Sequence, residues 1–115
     1  MRAQTDGGKI IEPGKLNGHL VRIKEELRKA EAKHPKFCDE ITGKLPNTVK
    51  KALANLRIEN GVAPFYADSI LHEEICEALK AYQEGDKAHA LQEFAQCGAV
   101  ILRIMEKIDK EKRKN

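Results

Sequence analysis

LHEEICEALKAYQEGDKAHALQEFAQCGAVILR, residues 71–103, decides the fold. Two apolar patterns of helical period run through it, broken only at Gly85 and Asp86, and each carries an acidic cluster. The first cluster is Glu73-Glu74-x-x-Glu77 and the second is Glu93-x-x-Gln96. Residues three and four apart share a helix face, so Glu73, Glu74 and Glu77 converge, and Glu93 lies beside Gln96. At about 100° per residue, Ala67, Ile70, Leu71, Ile75, Ala78, Leu79 and Tyr82 form one stripe, with Glu74 on its inner flank between Ile70 and Ala78. In the next helix Leu91, Phe94, Ala95, Gly98, Ile101, Leu102, Met105 and Ile108 make a broad apolar face. Glu93 falls on its margin between Val100 and Ile104, and Gln96 lies just outside, near Arg103. Carboxylates converging beside apolar surface are costly unless paired or bound to a cation.

Outward from this pair, Gly85 ends the first acidic helix, about Phe65 to Glu84, and Asp86 caps the next. So short a link makes the two helices antiparallel neighbours and brings their acidic edges face to face. Upstream, Pro46 and Asn47 start a helix with Val49, Ala52, Leu53 and Leu56 on one face, which Asn60-Gly61 stops. A further helix starts at Asn17 as N-cap, with Leu20, Ile23, Leu27 and Ala30 in register, and ends at Pro35. The loop from Pro35 to Pro46 is expected to anchor Phe37 and Ile41 in the core. The expectation is an all-α, four-helix bundle-like fold with the two acidic antiparallel helices at its centre. Residues 1–15 read as a flexible arm in which Ile10 and Ile11 can dock, 16–110 as a single domain, and 111–115 as a basic tail.

At 115 residues the chain has room for one modest core, and 41% hydrophobic with 34% charged residues is a globular composition. Aromatics at 4% and no tryptophan suit an aliphatic helical fold better than a β-sandwich. No apolar run approaches the ~20 residues of a membrane span and no signal-peptide core is present, so a cytoplasmic location is expected. Net charge is only +3, with much of the excess in residues 107–115, and no basic and aromatic interleaving marks a strand-binding groove. Nucleic acid is therefore not an expected partner. Cys38, Cys76 and Cys97 are an odd set without close spacing, expected as free thiols.

Glu-Glu-x-x-Glu, then fifteen residues, then Glu-x-x-(acid or amide) resembles the signature of the all-α nucleoside triphosphate pyrophosphohydrolases, the MazG-like group. Its relatives include dimeric dUTPases and phosphoribosyl-ATP pyrophosphohydrolases. Phe65-Tyr66-Ala67-Asp68-Ser69-Ile70-Leu71, Glu84-Gly85-Asp86 and Ala95-Gln96-Cys97-Gly98-Ala99-Val100 are similar to small, often phage-encoded members. The match covers about Ala52 to Asp109. The resemblance implies hydrolysis of a nucleoside triphosphate to monophosphate and pyrophosphate, with magnesium as cofactor and manganese as a substitute. It implies Glu73, Glu74 and Glu77 as catalytic residues, and Glu73, Glu74, Glu77, Glu93 and Gln96 as metal ligands. Gln96 departs from the family's Asp: an amide oxygen can ligate a hard cation but brings no charge. That departure favours the alternative class, a helical interaction or regulatory protein that keeps the fold without catalysis.

Lys80, Lys87, Arg103 and Lys107 lie on or beside the acidic helices; of these Lys80, Arg103 and Lys107 are the candidates for binding the triphosphate, and helix-surface pairing accounts for such residues about as well. His72-Glu73-x-x-Cys76 is one residue from a zinc-protease motif but lacks the second histidine and a third ligand. His72 and Cys76 lie opposite the apolar stripe and read as solvent-facing. Glu31-x-x-His34 is a single motif where a di-iron bundle needs two. His19, His34 and His89 read as surface residues, and Cys97 as a small core residue. The apolar arc of the last helix, roughly 200° against the ~100° stripe of a helix packed on one side, leaves Val100, Ile104 and Ile108 needing a partner, either the first helix with the N-terminal arm or a second chain. The resemblance implies a homodimer or higher homo-oligomer to supply it.

Overall fold

A computed structural model describes residues 10–114 of the chain. They form four helices: α1 Pro13–Lys33, α2 Pro46–Glu59, α3 Ala67–Gln83 and α4 Lys87–Lys114. No strand occurs among the described residues, and the fold is all-α as expected. No helix is long and apolar enough to cross a membrane.

Local chemistry sets the boundaries. Proline occupies the first turn of both α1 and α2, where its missing N–H has no helical acceptor to satisfy. This starts α1 four residues before Asn17, so residues 13–15 are helical; of the remaining arm, residues 1–9 lie outside the described part and Ile10 is exposed. Between α3 and α4 the chain reverses on three residues. Gly85 adopts φ +85°, its N–H bonds to the Tyr82 carbonyl, and the Asp86 N–H bonds to the Ala81 carbonyl. This pairing is a Schellman ending, which needs the left-handed conformation that glycine adopts without penalty. Asp86 then accepts the His89 N–H at 3.0 Å through Oδ1 and caps α4. Glu77 and Glu93 stand eight residues before and after Gly85, so the antiparallel return sets them level.

Packing divides the chain into two units: α1 with α4 from Leu102 onward, and residues 38–101 with α2, α3 and the first part of α4. The first unit buries His19 against Glu106, Nε2 to Oε1 at 2.9 Å, so His19 is a buried hydrogen-bond partner and not the expected surface residue. Leu20, Ile23 and Leu27 are left exposed. The second unit has the apolar core: Val49 and Leu53 of α2 against Cys76 and Leu79 of α3, with Ala52, Leu56 and Ile75 packed around them. Cys76 therefore faces α2 and not solvent. The expected stripe of α3 omitted it because α3 is covered on two sides, and one stripe cannot describe a helix wedged between two others. His72 is exposed as expected.

Phe37 and Ile41 are exposed, 80% and 50%, and do not anchor the 34–45 loop. In α4 the buried stripe of this unit is Ala90, Glu93 and Cys97, at spacings of three and four. Leu91, Phe94 and Ala95, at the centre of the expected face, are exposed, as is Ile101. Val100 and Ile104 are half-buried and Ile108 is exposed. The uncovered side of α4 is thus the richly apolar one, while the side with a carboxylate and a thiol turns inward. All three cysteines are free thiols, with Cys97 buried as expected.

Candidate metal centre

Glu74, Glu77 and Glu93 each offer one carboxylate oxygen to a group in which all oxygens lie within 4.8 Å of one another. Two come from one flank of α3, a turn apart, and the third from the buried stripe of α4. Ala78 and Ala81 follow Glu74 and Glu77 by one turn on that flank and are buried; their lack of bulk lets the helices approach. Glu93 is only 9% exposed. Its Oε2 meets His89 Nε2 at 3.0 Å, and its Oε1 is buried without a hydrogen-bond partner. Glu74 Oε1 is buried and unpartnered too. Burial, then the charges of Glu77, Glu93 and Glu73, push the Glu74 carboxyl above its ordinary pKa. The same electrostatics reach Cys97, one turn after Glu93: burial first, then Glu74 and Glu93, push its thiol up.

Glu73 is held differently. Asn60 Nδ2 donates to Glu73 Oε1 at 2.8 Å and to the Ser69 carbonyl at 3.0 Å, tying the end of α2 to the first turns of α3. Ser69 Oγ donates to Glu59 Oε2 at 2.7 Å and reinforces that joint. Arg57, one turn before Asn60, sets Nη2 3.3 Å from Glu77 Oε2 and Nε 4.0 Å from Glu73 Oε2. Glu73 is thus one arginine away from the cluster without belonging to the group of three.

A cleft of about 240 Å³ opens beside the cluster, lined by Arg57, Glu77, Lys80, Glu84, His89 and Glu93 around Ala81. Lys80 donates to Glu84 Oε2 at 2.9 Å, and this hydrogen bond holds the exposed Glu84 carboxyl below its usual range. Of the residues expected at a triphosphate, Lys80 lines the cleft. Lys107, 3.7 Å from Glu111, and Arg103 are exposed on the part of α4 that packs with α1. Gln96 is exposed and is not one of the three grouped residues.

The donor set fits a hard divalent cation. Three carboxylates supply only oxygen, the donor of hard cations, and among the described residues two of the cluster's oxygens are buried without a partner. Arg57, Asn60 and His89 were not singled out as site residues from sequence. His89 precedes Glu93 by four and was legible from that spacing; Arg57 and Asn60 share a face at the end of α2, but nothing local shows which helix that face meets. No family model, curated protein or solved structure matches the chain.

Proposed function

We propose that the chain is a divalent-cation-dependent nucleoside triphosphate pyrophosphohydrolase of the all-α MazG-like type. The observation that supports this most is the three-carboxylate group on two antiparallel helices, with one oxygen each of Glu74 and Glu93 buried and unpartnered beside a cleft. Glu74, Glu77 and Glu93 would hold magnesium. When bound, magnesium neutralises phosphate charge and acidifies a water. A carboxylate of the acidic edge would accept the proton as the water oxygen attacks the α-phosphorus and the bond to the bridging oxygen breaks, with pyrophosphate leaving. Lys80 lines the cleft and steadies phosphate charge there. Asn60 fixes Glu73 and with it the register of α2 on α3.

The cleft, about 240 Å³, is smaller than the ~300–1,000 Å³ of a complete small-molecule site. It takes the phosphates, and base and sugar need further surface. Exposed Leu91, Phe94 and Ile101, on the same unit as the cleft, are the apolar surface through which a second copy of the chain would complete it.

The same exposed residues favour the second reading, a helical interaction protein without catalysis. Release of pyrophosphate from a panel of ordinary and modified nucleotides, with magnesium and with a chelator, separates the two. Magnesium-dependent release that Glu77→Gln abolishes is expected; no release from any nucleotide leaves the interaction protein.

A further inference from the structure

Every basic side chain in the cleft faces an acidic one: Arg57 with Glu77, Lys80 with Glu84, His89 with Glu93. Two of these pairs, at Lys80 and His89, are local, at a spacing of four residues, and do not involve α2. The Arg57 pair differs. It joins α2 to α3, the Arg57 side chain is 56% exposed on the cleft wall, and its acceptor, Glu77, is one of the three grouped carboxylates.

We infer that Arg57 is an exchange residue: it shares Glu77 with a divalent cation, and on arrival of a cation-polyphosphate complex it passes from the carboxylate to a phosphate oxygen. This rests on the cation-site reading above. That reading has an observation beyond the acidic cluster itself, since Oε1 of Glu93 and Oε1 of Glu74 are buried with no hydrogen-bond partner, while the other oxygen of Glu93 meets His89.

The energetics favour exchange over a fixed bridge. A pair at 3.3 Å whose arginine side chain is more than half exposed is weak, so surrendering it costs little. A cation at Glu77 lowers the carboxylate's hold on Arg57 further, because both compete for the same negative charge. Two oxygens of a phosphate then offer the planar guanidinium a bidentate acceptor that a lone carboxylate oxygen at 3.3 Å does not. Glu73 Oε2, 4.0 Å from Nε, keeps the side chain near the cleft during the change. Cation and polyphosphate therefore bind with positive coupling, each removing the partner that opposes the other.

Calorimetry on the full chain with magnesium alone, and with inorganic pyrophosphate at saturating magnesium or in chelator, tests this in wild type, Arg57→Ala and Arg57→Lys. Expected are magnesium binding to Arg57→Ala at least as tight as to wild type, and magnesium-pyrophosphate binding weakened about tenfold in Arg57→Ala and less in Arg57→Lys. Wild type should bind pyrophosphate about tenfold better with magnesium than without. Weaker magnesium binding by a folded Arg57→Ala would make Arg57 a support for Glu77 and overturn the exchange. Unchanged pyrophosphate affinity in that variant would overturn it too. A wild type that binds no magnesium would defeat the cation site itself, a result distinct from both.

Discussion

Glu74 on α3 and Glu93 on α4 belong to one group of carboxylates, and each buries an Oε1 that no donor reaches. Folding therefore brings together charges that repel, with less solvent to screen them than in the unfolded chain.

The Glu74 carboxyl titrates above its ordinary value of 4.5 because of burial, then Glu77, Glu93 and Glu73. The folded chain thus binds that proton more tightly than the unfolded one. The stability linked to it is fully present below the unfolded pKa and is lost as pH rises through the folded pKa. In chelator, thermal melts should show this contribution growing as pH falls from neutral toward the ordinary carboxylate range. Glu74→Gln should melt higher than wild type at neutral pH and should flatten the dependence. A lower melting temperature for the variant at neutral pH would mean the carboxylate is structural.

Glu93→Leu replaces a buried, half-satisfied carboxylate by an apolar side chain on the inward stripe of α4. The replacement removes an unpartnered buried oxygen and the repulsion from Glu74 and Glu77, and His89, exposed, loses little with its partner. Differential scanning calorimetry should show the variant at least as stable as wild type without added metal, and should show no rise on adding magnesium, where wild type rises.

Gln96→Asp restores the acid of the resembled pattern, yet position 96 is exposed and outside the carboxylate group. A charge added there is screened by solvent. Magnesium affinity should change far less than in Glu77→Gln. A large gain would show that Gln96 reaches the cation.

Leu91 and Phe94 lie one turn apart on the uncovered side of α4, 73% and 38% exposed. If a second copy of the chain covers them, Leu91→Glu should shift sedimentation toward monomer while helical circular dichroism is retained, since so exposed a residue contributes little to the fold. A wild-type chain that is monomeric at high concentration contradicts the assembly.

Much of this was legible in the sequence because it is local. Gly85 and Asp86 marked the reversal correctly, as a left-handed C-terminal residue and a capping carboxylate are chosen by their own backbones. Pro46 marked α2 for the same reason. The convergence of Glu74 and Glu77 followed from helical spacing, and that of Glu93 from the short link. What was hidden depends on which helix covers which. Periodicity named the apolar side of α4 but not the side that is buried, so Glu93 was placed on a margin when it lies on the inward stripe. Cys76 was lost to the opposite error on a helix covered twice. His19 and Arg57 are ordinary in sequence, and only the approach of α4 to one and of α3 to the other gives them roles.

The most direct measurement of the central claim is a manganese titration followed by electron paramagnetic resonance, which reads free ion against bound without needing the substrate. Wild type should take up manganese saturably and lose it to excess magnesium, and Glu93→Gln, with unchanged circular dichroism, should bind it at least tenfold more weakly, roughly 1.4 kcal/mol. Wild type that leaves manganese free, or a folded Glu93→Gln that binds it as wild type does, would contradict the assignment of Glu74, Glu77 and Glu93 as a cation site.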